Sequence, residues 1–156
     1  MDVVNASGGF CRDLRATSRV TAPMTHTHHE DIVMVTRSHV SIVDDDVSVR
    51  ESLPDMLRQF GFAAEAFASA EAFLASDVVG QTGCLILDIA MPGMSGPDLQ
   101  RELASRRRHI PIVFITASGD KAVRTRVLAD GAVECLFKPF SEAALLDALN
   151  AAFRMR

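Results

Sequence analysis

The chain has no tryptophan and no tyrosine, and its aromatic content is nine phenylalanines in 156 residues. A core must therefore be assembled from Ala, Val, Leu and Ile. The 48% hydrophobic share is enough for one domain of that kind and hardly for two. An excess of positive charge is also lacking. Sixteen Lys and Arg against twenty Asp and Glu give a net charge of −4, so the chain as a whole has no electrostatic case for gripping nucleic acid. Cysteine is scarce: Cys11, Cys84 and Cys135 are an odd set without metal-type spacing. Cys84 and Cys135 fall in strand-like runs and read as reduced core residues, which makes the cytoplasm the expected location. No apolar run is long enough to span a bilayer, so no membrane association is expected. Residues 1–30 lack the apolar segment of a secretory leader.

Residues 1–37 mix Ser, Thr, Gly, Arg and His and sustain no helical or strand period. They are expected to form a disordered extension, with Met24 and Met34 as alternative starts of translation. His26, His28 and His29 form a cluster, but no Cys or carboxylate stands at a matching ligand spacing, and an exposed polar tail is the better reading.

From residue 38 onward the chain alternates strand and helix five times. Val40–Val43 is a strand ending in Asp44-Asp45-Asp46, and a helix follows from about Val47 to Phe60 with Asp46 as its N-cap. Val49, Leu53, Met56, Leu57 and Phe60 give that helix an apolar stripe, Pro54 is expected to kink it, and Gly61 to stop it. Phe62–Phe67 is a weaker, Ala-rich strand, followed by a helix capped by Ser69 and running to about Ser76. Cys84–Leu87 is a wholly apolar strand of the kind buried on both faces of a parallel sheet, and Asp88 stands at its end. Ser95 and Asp98 resemble a capping box at the start of a helix running to about Arg107. Ile110–Ile115 is a strand ending in Thr116-Ala117, Asp120–Ala129 a helix, Val133–Phe137 a strand ending in Lys138-Pro139, and Ser141–Phe153 the last helix. This alternation implies a parallel sheet covered by helices on both faces, joined by right-handed crossovers.

Parallel strands point one way, so their polar ends meet on one edge of the sheet: Asp44 and Asp45, Asp88, Thr116 and Lys138. Clustered carboxylates raise one another's pKa unless a cation is present. Acidic oxygens without His or Cys select a hard divalent ion, Mg²⁺ first, which tends to bridge carboxylate to phosphate. Lys138 adds a point charge and Thr116 a hydroxyl, suited to a phosphoryl group whose transfer depends on positioning and neutralisation. Asp88 can itself be the nucleophile, because carboxylates form acyl phosphates, and the small Ala117 leaves the approach open. Taken singly, each residue reads as a cap, a turn residue or a surface lysine. Four strand ends agreeing in order argue against that.

On these residues the sequence resembles the receiver domain of two-component response regulators, and within it the FixJ-type subgroup. The matching motifs are Ser41-Ile-Val-Asp-Asp-Asp46 with Ser48-Val-Arg-Glu-Ser52, Phe67-Ala-Ser-Ala-Glu71, Leu87 through Gly96, Thr116-Ala117, and Gly131-Ala132 through Lys138-Pro-Phe140. They cover about residues 38 to 153, within a receiver domain placed at 38–156. The resemblance implies a five-stranded parallel sheet of order 2-1-3-4-5, a flavodoxin-like three-layer α/β sandwich. It implies that Asp88 accepts phosphate from a histidine kinase. Asp45, Asp88 and the Ala90 carbonyl would bind Mg²⁺, Asp44 would act mainly through a metal-bound water, Thr116 and Lys138 would contact the phosphoryl group, and the Lys138–Pro139 peptide would be cis. Ala90 and Ser118 stand where the family tunes phosphate lifetime, and the small Ala90 is expected to interfere little with attacking water.

Two features depart from the family pattern. Cys135 stands three residues before the lysine, where receivers carry Phe or Tyr, and a thiol cannot report phosphorylation by rotating a ring. No helix-turn-helix output segment follows, so the expectation is a stand-alone module, not an enzyme beyond phosphorylating and dephosphorylating itself. It would act through a downstream protein docked on the exposed side of residues 120–153, with homodimerisation left open. Arg106-Arg107-Arg108 is expected in the last turn of a helix, where the dipole favours cations, and direct DNA contact is not expected. The alternative is an interaction module that keeps the fold without switching. A Mg²⁺-dependent phosphatase lacks a second acid or base beside Asp88. Flavin binding lacks a phosphate cradle after the first strand.

Overall fold

The structure is a computed structural model and describes residues 38–155. The expected N-terminal extension, with Cys11 and its histidines, lies outside the described residues. Five strands alternate with five helices: β1 His39–Val43, α1 Val47–Gln59, β2 Ala63–Phe67, α2 Ala70–Leu74, β3 Cys84–Asp88, α3 Gly96–Ser105, β4 Ile112–Thr116, α4 Lys121–Ala129, β5 Glu134–Phe137 and α5 Glu142–Arg154. A short 3₁₀ turn, Val79–Gln81, precedes β3. The strands form one parallel sheet in the order β2-β1-β3-β4-β5, as expected.

The order places the most apolar strands in the middle. Every residue of β3 and β4 is buried, whereas the Ala-rich β2 sits at an edge and is partly exposed. Side chains alternate across the sheet. Ile86, Val113 and Ile115 face one core together with Leu53 and Leu57 of α1 and Leu145 and Leu149 of α5. Leu85, Leu87 and Phe114 face the other, with Phe73 of α2, Leu99 and Leu103 of α3 and Val127 of α4. Each of these fully buried Leu or Ile side chains contributes roughly 2 kcal/mol of hydrophobic stabilisation. Pro54 is buried within α1, which continues through it without a break in the helix.

Helix ends follow local chemistry. Asp46, Ser69, Ser95, Asp120 and Ser141 each cap a helix by accepting a backbone N–H. Ser95 and Asp98 close the expected capping box. The end of α3 corrects the sequence reading. The helix stops at Ser105, and Arg106, Arg107 and Arg108 lie past it, because Arg107 takes a left-handed φ of 59°. The Arg108 N–H then donates to the Leu103 carbonyl and the Arg107 N–H to that of Ala104, the Schellman pattern that Gly61 makes after α1 and Gly131 after α4. Strand β4 begins at Ile112, two residues later than expected. Pro111, which has no N–H to give a ladder, contributes its carbonyl to the Leu85 N–H instead.

Candidate functional site

The carboxyl ends of β1, β3, β4 and β5 bring the polar residues together as their order suggests. Asp44 follows β1 and is wholly buried; Asp88 ends β3 and Thr116 ends β4, both nearly so. Asp45 is exposed at the mouth. One carboxylate oxygen from each of Asp44, Asp45 and Asp88 lies within 4.8 Å of the other two. The Lys138 ammonium donates to Asp44 Oδ2 at 2.9 Å and stands 3.9 Å from Asp88 Oδ1, so it serves Asp44 first. Lys138 is held there by its own N–H, which bonds the Thr116 carbonyl, and its peptide to Pro139 is cis.

Each carboxylate is set by its backbone. Asp44 Oδ1 accepts the Asp46 N–H, and the Arg50 guanidinium from α1 reaches back to the Asp44 carbonyl. Asp46 turns away to cap α1 and bond Ser48, which separates it from the cluster as its N-cap role requires. Thr116 Oγ1 accepts the Ser118 N–H, leaving the hydroxyl proton to donate. Ala90, Ala117 and Ser118 are exposed around the mouth, so small side chains border the approach to Asp88.

The electrostatics are those of a site short of positive charge. Burial pushes the Asp88 carboxyl up to about 7, the neighbouring Asp44 and Asp45 add to the rise, and Lys138 only partly offsets it. Burial alone would lower the Lys138 ammonium, but its bond to Asp44 and the Asp88 and Asp44 charges outweigh that and raise it. Three convergent carboxylates without nitrogen or sulfur donors suit a hard divalent cation, and a cation there would relieve the strain on Asp88.

Two neighbours of the site were not legible as such in the sequence. Gly96, at the start of α3, packs so tightly beneath Asp88 that a Cβ would collide with the Asp88 carbonyl oxygen and lie 3.0 Å from the Phe114 ring. Its N–H bonds the Ile89 carbonyl. Glu71, from α2, accepts the Met94 N–H at 3.1 Å across the loop that follows Asp88. Cys135 lies 3% exposed in the core beneath α4, where burial pushes its thiol up.

Residues 40–150 match the family described as the response regulator receiver domain. The chain belongs to that family. Receiver domains of two-component response regulators include its relatives. Nodulation protein W of Bradyrhizobium diazoefficiens is 46% identical over 117 residues, which are 75% of this chain and 52% of that protein. The solved structure of response regulator StyR is 50% identical with a TM-score of 0.70, covering 75% of this chain and 59% of that one. The crystal structure of FixJ-N is 38% identical with a TM-score of 0.69, covering 76% of this chain and 94% of that one, in keeping with the FixJ-type resemblance. The chain spans about half the length of the curated relatives it matches. Among the described residues, no helix is long and apolar enough to cross a membrane.

Proposed function

We propose that this chain is a cytoplasmic phosphorylation switch whose acceptor is Asp88, charged by a histidine kinase. The observation that carries this reading is the meeting of three carboxylates within 4.8 Å under one ammonium that reaches two of them. An Asp88 oxygen attacks the phosphorus of a phosphoimidazole. The P–O bond forms as the P–N bond breaks, and the electron pair leaves on the imidazole nitrogen. Asp44, Asp45, Asp88 and the Ala90 carbonyl would hold Mg²⁺, and a bound ion would supply charge neutralisation for the carboxylate and phosphoryl oxygens. Lys138, 2.9 Å from Asp44 and 3.9 Å from Asp88, would give up part of its hold on Asp44 to the new phosphoryl charge. The Thr116 hydroxyl donates to a second phosphoryl oxygen. The chain turns over no other substrate.

The output runs through the 120–153 side to a downstream protein, without DNA contact by these residues. Helix α4 buries only Val127, so it is the element on that side most easily displaced when Thr116 and Lys138 tighten on phosphate. A second reading rests on Cys135: it offers no ring to rotate, and a module that docks partners without switching would tolerate it. Intact-mass measurement with acetyl phosphate separates the two. The switch reading expects a single phosphoryl gain that needs Mg²⁺ and is absent in Asp88→Asn. A folded protein that takes no phosphate would leave the docking module.

A further inference from the structure

We propose that Glu71 is a positioning residue for the metal site, acting through the loop between β3 and α3. The inference deepens the Mg²⁺ reading and rests on it. The loop leaves Asp88, carries the Ala90 carbonyl and ends at Ser95. Its near end is fixed by the sheet, where the Ile89 N–H donates to the Ile115 carbonyl, and by the Gly96 N–H on the Ile89 carbonyl. Met91 anchors it in the same buried cluster as Leu99. Its outer arm, Pro92 to Met94, is exposed or half-exposed, and a different element holds it there. Glu71 Oε2 accepts the Met94 N–H, 23 residues away in sequence.

Gly93 shows that the chain is built around this contact. Its φ is +76°, and a Cβ placed on it would stand 3.0 Å from Glu71 Oε2. The carboxylate is therefore packed over the turn as well as bonded to it. A left-handed residue without a side chain lets the Met94 N–H face α2, and Glu71 fills the space above. An ionised acceptor on a backbone N–H is stronger than a neutral one. Held at Met91 and Met94, the loop has little freedom to carry the Ala90 carbonyl away from Asp88. Glu71 touches neither the carboxylates nor the phosphoryl group; it acts by fixing the backbone that presents a ligand. Groups bonded directly to a metal ligand typically change metal affinity tenfold or more when removed; Glu71 acts one step further out, through the loop backbone at Met94.

The test compares Glu71→Ala, which removes the acceptor, with Glu71→Gln, which keeps an acceptor and loses the charge. Two quantities are read on folded protein: amide exchange at Met94 by NMR, and Mg²⁺ affinity by titration. Glu71→Ala is expected to speed Met94 exchange and to weaken Mg²⁺ binding by up to about tenfold, with Glu71→Gln recovering most of both. Unchanged Mg²⁺ affinity in Glu71→Ala overturns the proposal, as does a Gln variant as weak as the Ala variant. A parent protein that binds no Mg²⁺ overturns the functional reading and this proposal with it, and is distinguished because the exchange difference at Met94 then persists without any metal effect.

Discussion

At Gly96 the backbone of α3 comes so close to the Asp88 carbonyl that no side chain fits, so the helix start is packed directly against the acidic strand end. Overpacking of this kind costs roughly 1–3 kcal/mol when it can relax at all. Gly96→Ala should therefore lower stability in urea by about that amount and slow phosphoryl uptake, because the relaxation displaces Asp88; a variant with unaltered midpoint and uptake would refute the packing argument. Asp88 makes a second prediction. Its folded pKa, about 7 without metal, lies above the ordinary carboxylate value of 3.8. The folded state thus holds the proton more tightly, so the stabilisation is complete below the unfolded pKa and is lost as pH rises from about 4 to about 7. His39, lowered by burial, works in the opposite direction between its folded value and 6.5, so a difference between variants is needed. In chelator, Asp88→Asn should melt higher than the parent by several degrees at pH 8, at about 4 °C per kcal/mol relieved, and the gap should close toward pH 4. Added Mg²⁺ should raise the parent and not the variant. A gap independent of pH would rule out a raised Asp88.

Three helices end in the same Schellman hydrogen bonds, but α1 and α4 use Gly61 and Gly131 for the left-handed residue and α3 uses Arg107. An L-residue in that conformation is strained by about 1 kcal/mol or more, part of which glycine gives back through a floppier unfolded chain. Arg107→Gly should raise stability by roughly 0.5–1 kcal/mol without touching the acidic edge; an unchanged or lower denaturation midpoint would refute it. The element boundaries show what a sequence can and cannot carry. The capping box of Ser95 and Asp98, the buried run Cys84–Leu87 and the Gly61 stop were readable because their causes lie within a few residues. The end of α3 was not, since an arginine gives no sign that it will take a positive φ. Glu71 was visible inside a motif, yet its bond to Met94 depends on how α2 packs beside the loop, which no local period encodes.

Across the described residues, two apolar cores clamp a parallel sheet whose polar strand ends gather at one edge. That gathering was legible because parallel order converts residues far apart in sequence into neighbours: Asp44 and Lys138 are 94 positions apart and 2.9 Å in contact. The sequence did not say which carboxylate the lysine prefers. The structure gives the close bond, 2.9 Å, to the wholly buried Asp44 and leaves Asp88 at 3.9 Å. The proposed function requires that this edge store a phosphoryl group on one oxygen of Asp88. Its most direct test is chemical trapping of the protein after incubation with acetyl phosphate and Mg²⁺. Borohydride reduces an acyl phosphate to an alcohol, so peptide mass spectrometry should find homoserine in place of Asp88 and nowhere else in the chain. Modification at Asp44 or Asp45, at a histidine, or at no residue of a folded protein would contradict it.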